Sequence, residues 1–271
     1  MHRLATRLLI LSACVALPSS AGAEQSAEEL AKATQNPIAN LISLPFQNNL
    51  NFGVGHKDNP QNVMNIQPVI PISLGDEWTL ITRTILPITS QPSVRPGDSR
   101  TNGLGDTSFS AFFAPAAEGN LIWGAGPALV LPTATDKRLG AQRWAVGPTA
   151  VFVWTPGKWV VGSLFSQIWD WDLPGGDNHT NVDLFTWQYF VNYNIANGWY
   201  LSSAPINTAN WDNSKDDTWT IPLGGGGGRL WKFEGLPPIN TQAQAFYNVE
   251  KPRGSAEWQL RLQVQLLFPK R

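Results

Sequence analysis

The 271-residue chain carries 19 Lys and Arg against 20 Asp and Glu, and only 14% of its residues are charged, where soluble domains average roughly 25%. That balance leaves no electrostatic footprint for nucleic acid, while 13 Trp and 12 Phe imply a surface covered by something other than charge. A single cysteine, Cys14, excludes a disulfide framework, and beyond the N-terminus no run of about 18 apolar residues could form a membrane-spanning helix.

Residues 1–23 read as a secretory signal: Arg3 and Arg7 at the start, an apolar run from Leu8 to Leu17, and the small residues Ala21-Gly22-Ala23 before Glu24. Leu11-Ser12-Ala13-Cys14 also fits a lipobox, but the apolar run ahead of Cys14 is short and continues through it. Loss of Arg3 and Arg7 with the signal leaves 17 basic residues against 20 acidic ones, a net charge of about −3. Residues 24–42 form a leader. Within it, Ser26 to Thr34 predicts a helix, with Ser26 placed to cap, Glu29 three residues on and Pro37 closing it. Such a helix either stands in solvent or folds into the mouth of the domain that follows.

From residue 43 to 271 the hydrophobic period is two, the period of strands that separate an apolar from a polar environment. Leu44, Phe46, Leu50, Phe52 and Val54 alternate with Gln47, Asn49 and Asn51. Met64, Ile66, Pro68, Ile70 and Ile72 oppose Asn65 and Gln67 in the second strand, and Trp78, Leu80, Leu86 and Ile88 oppose Arg83 in the third. The fourth sets Phe109, Ala111 and Phe113 against Ser108 and Ser110, and the fifth sets Trp123, Ala125, Pro127, Leu129 and Leu131 against Gly124, Gly126 and Ala128. In the sixth, Trp144, Val146, Ala150, Phe152 and Trp154 face away from Arg143 and Thr149. The seventh, 158–169, alternates too poorly to assign its faces. Phe185, Trp187, Tyr189, Val191 and Tyr193 oppose Gln188, Asn192 and Asn194 in the eighth; the ninth runs over 199–208, and the tenth, 217–233, contains Gly224 to Gly228. The eleventh opposes Ala243, Ala245, Tyr247 and Val249 to Gln242, Gln244 and Asn248.

The last strand, 258–268, is the clearest. Its even positions are apolar, and Gln259, Arg261, Gln263 and Gln265 fill the odd ones. Its length suits a tilted strand crossing a bilayer, where an open sheet edge is prohibitive, so the pattern predicts a closed all-β transmembrane barrel of about twelve antiparallel up-and-down strands. Short turns alternate with longer, more polar connections along the chain, as periplasmic turns and extracellular loops do in outer-membrane barrels. Tryptophans sort with them: Trp78, Trp123, Trp154, Trp159, Trp199 and Trp231 beside short turns, Trp144 and Trp258 among those beside long ones. Two such groups predict aromatic girdles at the two membrane interfaces, with outer-membrane lipid as a partner.

Several stretches are similar to a family of bacterial outer-membrane β-barrel proteins variously labelled transporter, "neuromedin U" or phenol-degradation (MetA-pathway) protein. They are Gln35-Asn36-Pro37, Leu41 to Gln47, Asn65 to Pro71, Gly103-Leu104-Gly105-Asp106, Ile221 to Gly226 and Trp258-Gln259-Leu260-Arg261. The resemblance implies passage of small or aromatic compounds. The chain departs from the usual outer-membrane ending, because Phe268 is followed by Pro269, Lys270 and Arg271.

Catalytic chemistry is poorly supplied: beyond the signal only His56 and His179 are available, both in proposed external loops, and there is no Gly-x-Ser-x-Gly elbow. No catalytic residue, cofactor or metal is assigned. Asp170, Asp172, Asp177 and His179 share a loop, but Pro174 stands where an EF-hand needs its third ligand. Gly224 to Gly228 is followed by Arg229 and Leu230, not by the Lys-Ser/Thr of a phosphate loop, so these glycines read as a bend or as room for something inside.

Candidate lumen-lining residues are Arg83, Arg143, Gln188, Asn192, Gln242, Gln244, Gln259, Arg261, Gln263 and Gln265, since an arginine facing lipid near the midplane would cost roughly 2–4 kcal/mol. An amide-rich lumen predicts a passive channel for small, mainly uncharged solutes, aromatic ones being suggested by the resemblance alone. The alternatives are a structural or adhesive barrel with an occluded lumen, and, further off, an outer-membrane lipase or a secreted β-sandwich.

Overall fold

A computed structural model describes residues 26–116, 119–170 and 182–269. The signal and the loop holding Asp172, Asp177 and His179 lie outside the described residues. One helix, α1 (Ala27–Gln35), precedes twelve strands: β1 (Ile42–Val54), β2 (Asn59–Ile66 and Val69–Leu74), β3 (Trp78–Gln91), β4 (Thr101–Leu104 and Thr107–Pro115), β5 (Leu121–Leu131), β6 (Ala145–Trp154), β7 (Trp159–Asp170), β8 (Asp183–Asn194), β9 (Trp199–Ser203 and Ile206–Asn210), β10 (Trp219–Trp231), β11 (Ile239–Glu250) and β12 (Trp258–Phe268). Each pairs antiparallel with its neighbours, and β12 closes on β1 in an unbroken register from Ile42↔Phe268 to Phe52↔Trp258. Closure leaves no strand edge, which is what the hydrocarbon core of a membrane requires.

The period-two pattern becomes the wall. On β12, Trp258, Leu262, Val264 and Phe268 are 52, 42, 46 and 41% exposed, whereas Arg261 and Gln265 are each 5% exposed. Outward apolar residues recur around the barrel, among them Phe52, Ile70, Ile72, Phe113, Phe152, Phe165, Leu201 and Leu223. A closed barrel with an apolar exterior is an outer-membrane β-barrel.

Three strands are broken, two of them next to a proline that cannot donate to a ladder. At Gln67-Pro68 the wall stays joined through Gln67 N donating to Pro45 O (2.9 Å) and Thr84 N to Pro68 O (3.1 Å). The β9 break at Ala204-Pro205 is wider, because β9 and β10 pair at Ser202↔Gly226 and next at Thr208↔Thr220. Lumen side chains replace part of that ladder, Gln244 Nε2 donating to Ser202 O (3.2 Å) and Arg261 Nη1 to Ala204 O (2.8 Å), while on the outer face Ser203 Oγ donates to Gly224 O (2.7 Å). Buried carbonyls thus keep partners where the sheet cannot supply them. In the glycine run, a Cβ on Gly226 would strike Ala243 O and one on Gly228 the Tyr200 ring. These glycines let β10 close on β11 and seat Tyr200, 1% exposed, inside the barrel.

The interior has two chemically different halves. Ile81, Phe112, Ala114, Val151, Val153, Val160, Leu164 and Phe190 from β3, β4 and β6–β8 pack into an apolar cluster that also takes Ile38 of the leader. This cluster explains why β7 resists a face assignment from sequence. Its inward Val160 and Leu164 are as apolar as its outward Trp159, Phe165 and Trp169. The opposite half, on β1, β2 and β8–β12, is polar.

Candidate lumen site

The leader is built as its sequence predicts and then turns inward. Ser26 Oγ accepts from Glu29 N (3.1 Å) while Glu29 Oε2 accepts from Ser26 N (2.9 Å), a reciprocal cap that satisfies two donors at the helix start. The Ser26 backbone N–H holds the Glu29 carboxyl below its ordinary range. The apolar side of α1 buries Leu30 and Ala31 against Leu41, Leu230 and Leu267. Lys32 Nζ donates to Gly157 O (2.5 Å) in the β6–β7 turn, and the amides of Gln35 and Asn194 exchange hydrogen bonds of 2.8 and 3.1 Å. All these partners sit at the short-turn end, which is the periplasmic end in barrels of this kind. Farther in, Ile38 reaches the apolar cluster; a Cβ on Gly124 would lie 3.3 Å from its Cδ1, so that glycine gives Ile38 its room.

Above the leader lies a cavity of about 940 Å³, counting the solvent it opens onto, whose floor is residues 33–41 of the leader. Arg83, Gln188, Asn192, Gln242, Gln244, Arg261, Gln263 and Gln265 all line it. A second cavity toward the long loops takes in Gln259, Asn51 and Gln61, and the two meet at Gln47 and Arg261. Neither has a carboxylate among its lining residues. Arg143 lies elsewhere, two residues before β6, where its Nη2 is 3.0 Å from Asp170 Oδ2.

Arg261 is held from every side: Nε by Asn49 Oδ1 (3.2 Å), Nη1 by Ala204 O, Nη2 by Gln259 Oε1 (3.1 Å), with the guanidinium 4.8 Å from the Phe246 ring centroid. Among the described residues Arg83 has one hydrogen-bond partner, Gln67 Oε1, at 2.6 Å from Nη2. The amides are linked to one another as well. Gln259 Nε2 donates to Asn51 Oδ1 (2.9 Å), Asn51 Nδ2 to Gln61 Oε1 (2.7 Å) and Gln61 Nε2 to Gln91 Oε1. Gln242 and Gln244 both donate to Ser202 Oγ (3.1 and 2.9 Å), Gln263 Nε2 to Gln265 Oε1 (3.4 Å), and Tyr200 Oη reaches Asn240 Oδ1 (2.9 Å). Asn192 donates to Val160 O (3.3 Å), while for Gln188 no side-chain bond is among those described.

Of the tryptophans expected in the girdles, Trp78, Trp123, Trp144, Trp154, Trp159, Trp199 and Trp258 are all at least 40% exposed. Trp78 and Trp123, from two different short turns, meet edge to face at 6.2 Å. Trp231 is half-buried instead, because Arg229 lies 4.1 Å over its ring and its Nε1 donates to Thr241 Oγ1 (2.9 Å). The wall arginine is thereby held between Trp231 and Trp199.

Sequence reasoning missed the apolar half of the lumen. Its signal is the apolar residues Ile81, Phe112, Val151, Val153 and Phe190 in the inward register of their strands. It also missed how Asp106 acts: Oδ1 accepts from Ala134 N (3.0 Å) and Oδ2 from Gln142 N (2.9 Å), pinning the loop between β5 and β6 to the break in β4. His56 is exposed in the β1–β2 turn.

The barrel is similar to the crystal structure of the COG4313 outer membrane channel from Pseudomonas putida F1, at a TM-score of 0.64 and 21% identity over 84% of this chain and 94% of that one. It is also similar to the NanC porin, at a TM-score of 0.54 and 10% identity over 84% of this chain and all of the porin. No curated protein matches. A family model described as "Putative MetA-pathway of phenol degradation" matches residues 61–220, from β2 to the first residues of β10. With more than half its length so matched, the chain, an outer-membrane β-barrel, belongs to that family.

Proposed function

We propose that the protein is a passive channel for small, mainly uncharged solutes, with the leader occluding its periplasmic mouth. The observation that carries this reading is a pair of cavities that share Gln47 and Arg261 and run from the long loops to the leader, their polar lining mostly neutral amides with Arg83, Arg253 and Arg261 the charged residues among them. Amides exchange hydrogen bonds with water or a hydroxylated solute and present no fixed charge. Similarity to a channel and a porin supports the same class, and the family description supports aromatic compounds as solutes. Phe190, the member of the packed apolar cluster that lines the inner cavity, would suit an aromatic ring. We assign no catalytic role.

Liposome swelling tests this reading. Proteoliposomes carrying the protein without residues 24–40 should swell in small neutral sugars faster than those carrying the full mature chain. A second reading, a structural barrel with a blocked interior, draws on the amides bonding to one another and on the Gln35–Asn194 pair. Equal impermeability of both forms would favour it.

A further inference from the structure

We infer that Arg83 is the recognition residue of an anion site inside the barrel, suited to the carboxylate of a small organic acid. The inference deepens the channel reading and rests on it for the route by which a solute arrives. Three arginines were expected in the lumen, and their surroundings differ. Arg143 is matched by a carboxylate, Asp170, at 3.0 Å. Arg83 and Arg261 line one cavity together, and among the described residues no carboxylate lies within ion-pairing distance of either. Two like charges enclosed in a protein wall with no counter-charge make a positive field that an entering anion would satisfy.

The two guanidiniums have different tasks. Arg261 spends its donors on Asn49, Ala204, Gln244 and Gln259, one of them closing the wall at the β9 break, so it is a fixed element of the barrel. Arg83 gives one N–H to Gln67 and faces the cavity with the rest of its fork. A guanidinium offers five N–H donors in a plane that matches the two oxygens of a carboxylate. Gln67 Oε1 orients that fork from behind, as a second residue must if the first is to stay aimed. On the facing side stand Phe190, which belongs to the apolar cluster, and the amides of Gln188 and Asn192. An acid with a short apolar or aromatic body would therefore meet charge at one end and Phe190 at the other.

The probe is sodium benzoate, with benzyl alcohol as the uncharged partner of the same ring, titrated calorimetrically into the full mature protein in nanodiscs. Benzoate should bind, and Arg83→Gln should weaken it about tenfold or more, the scale of losing a charge-assisted pair of hydrogen bonds. Arg83→Lys should restore part of that loss, and benzyl alcohol binding should not change with either variant. Benzoate binding that survives Arg83→Gln unchanged, or benzyl alcohol bound as tightly as benzoate by the unaltered protein, would overturn the assignment. Should Arg83→Gln fail to fold, competition on the unaltered protein decides: acetate must displace benzoate and leave benzyl alcohol in place, and the opposite result refutes the site. Binding of benzoate by a barrel that passes no solute in either form would overturn the channel reading and leave the anion site standing. Conductance without benzoate binding would do the reverse.

Discussion

Replacing Val264 by arginine should impair the barrel far more than replacing its neighbour Gln263 by the same residue. Val264 is 46% exposed on the outer face of β12, paired with Phe46 of β1 and Thr241 of β11 and lying between Trp258 and Phe268 at the strand ends. A guanidinium there would sit in hydrocarbon, at a cost of about 2–4 kcal/mol near the midplane. At about 1.4 kcal/mol per factor of ten, that is roughly a 30- to 700-fold shift in the folding equilibrium. Gln263 lines the cavity, where its amide donates to Gln265 Oε1 at 3.4 Å, so arginine there keeps its charge in a hydrated polar environment at the loss of one long hydrogen bond. The assay is urea-dependent folding into vesicles of each variant, read by the heat-sensitive shift in gel mobility of the folded barrel. Equal destabilisation by the two substitutions, or a milder effect at Val264, would refute the assignment of the even positions of β12 to lipid.

Phe112→Ala should destabilise the barrel by about 3–5 kcal/mol, because the ring is 1% exposed inside the lumen's apolar cluster, and a urea titration checks it. Asp106→Ala should leave the barrel folded but free the loop between β5 and β6, since two backbone donors lose their acceptor; limited proteolysis near residues 134–142 should then accelerate. Asp217 and Arg253 clamp the β9–β10 loop to the β11–β12 loop through bonds of 2.7–3.3 Å, and the Arg253 side chain and backbone N–H hold the Asp217 carboxyl down to about 2. A carboxyl with a depressed folded-state value stabilises fully above its unfolded value of 3.8 and loses that contribution as pH falls toward 2. Amide hydrogen exchange of the Arg253 loop should therefore be flat from pH 7 to about 4, after correction for intrinsic rates, and rise below that. Asp217→Asn should show the faster exchange throughout.

Legibility followed the chemistry on the two sides of the wall. Where lipid lay outside and amides inside, the alternation gave strands and faces together, and β12 begins at Trp258 and ends at Phe268 in both readings. Where the inside was also apolar, as along β7, alternation vanished and with it the face assignment. The period-two pattern runs through Pro68 as one continuous strand and through Ala204-Pro205 as another. Proline interrupts each ladder there, but lumen side chains and cross-strand bonds hold the segments in line, so the period continues across the break. The cap of α1 was legible because it is local, Ser26 to Glu29. Its docking was not, because Leu30 finds Leu230 and Leu267 some two hundred residues away. Arg83 and Arg261 line the inner cavity, whereas Arg143 lies before β6 and pairs with Asp170, a contact that no periodicity encodes.

The most direct test of an occluded channel is planar-bilayer conductance of the mature protein beside a form lacking residues 24–40. Removing the leader takes away Ile38, the floor of the inner cavity and the Gln35–Asn194 contact, while the closed register of β12 on β1 begins only at Ile42. Small or rare current steps are expected for the full mature chain and larger, long-lived steps for the shortened one, with both forms equally folded by gel mobility. Identical conductance in the two forms, or no conductance from a folded barrel without its leader, would contradict an occluded channel.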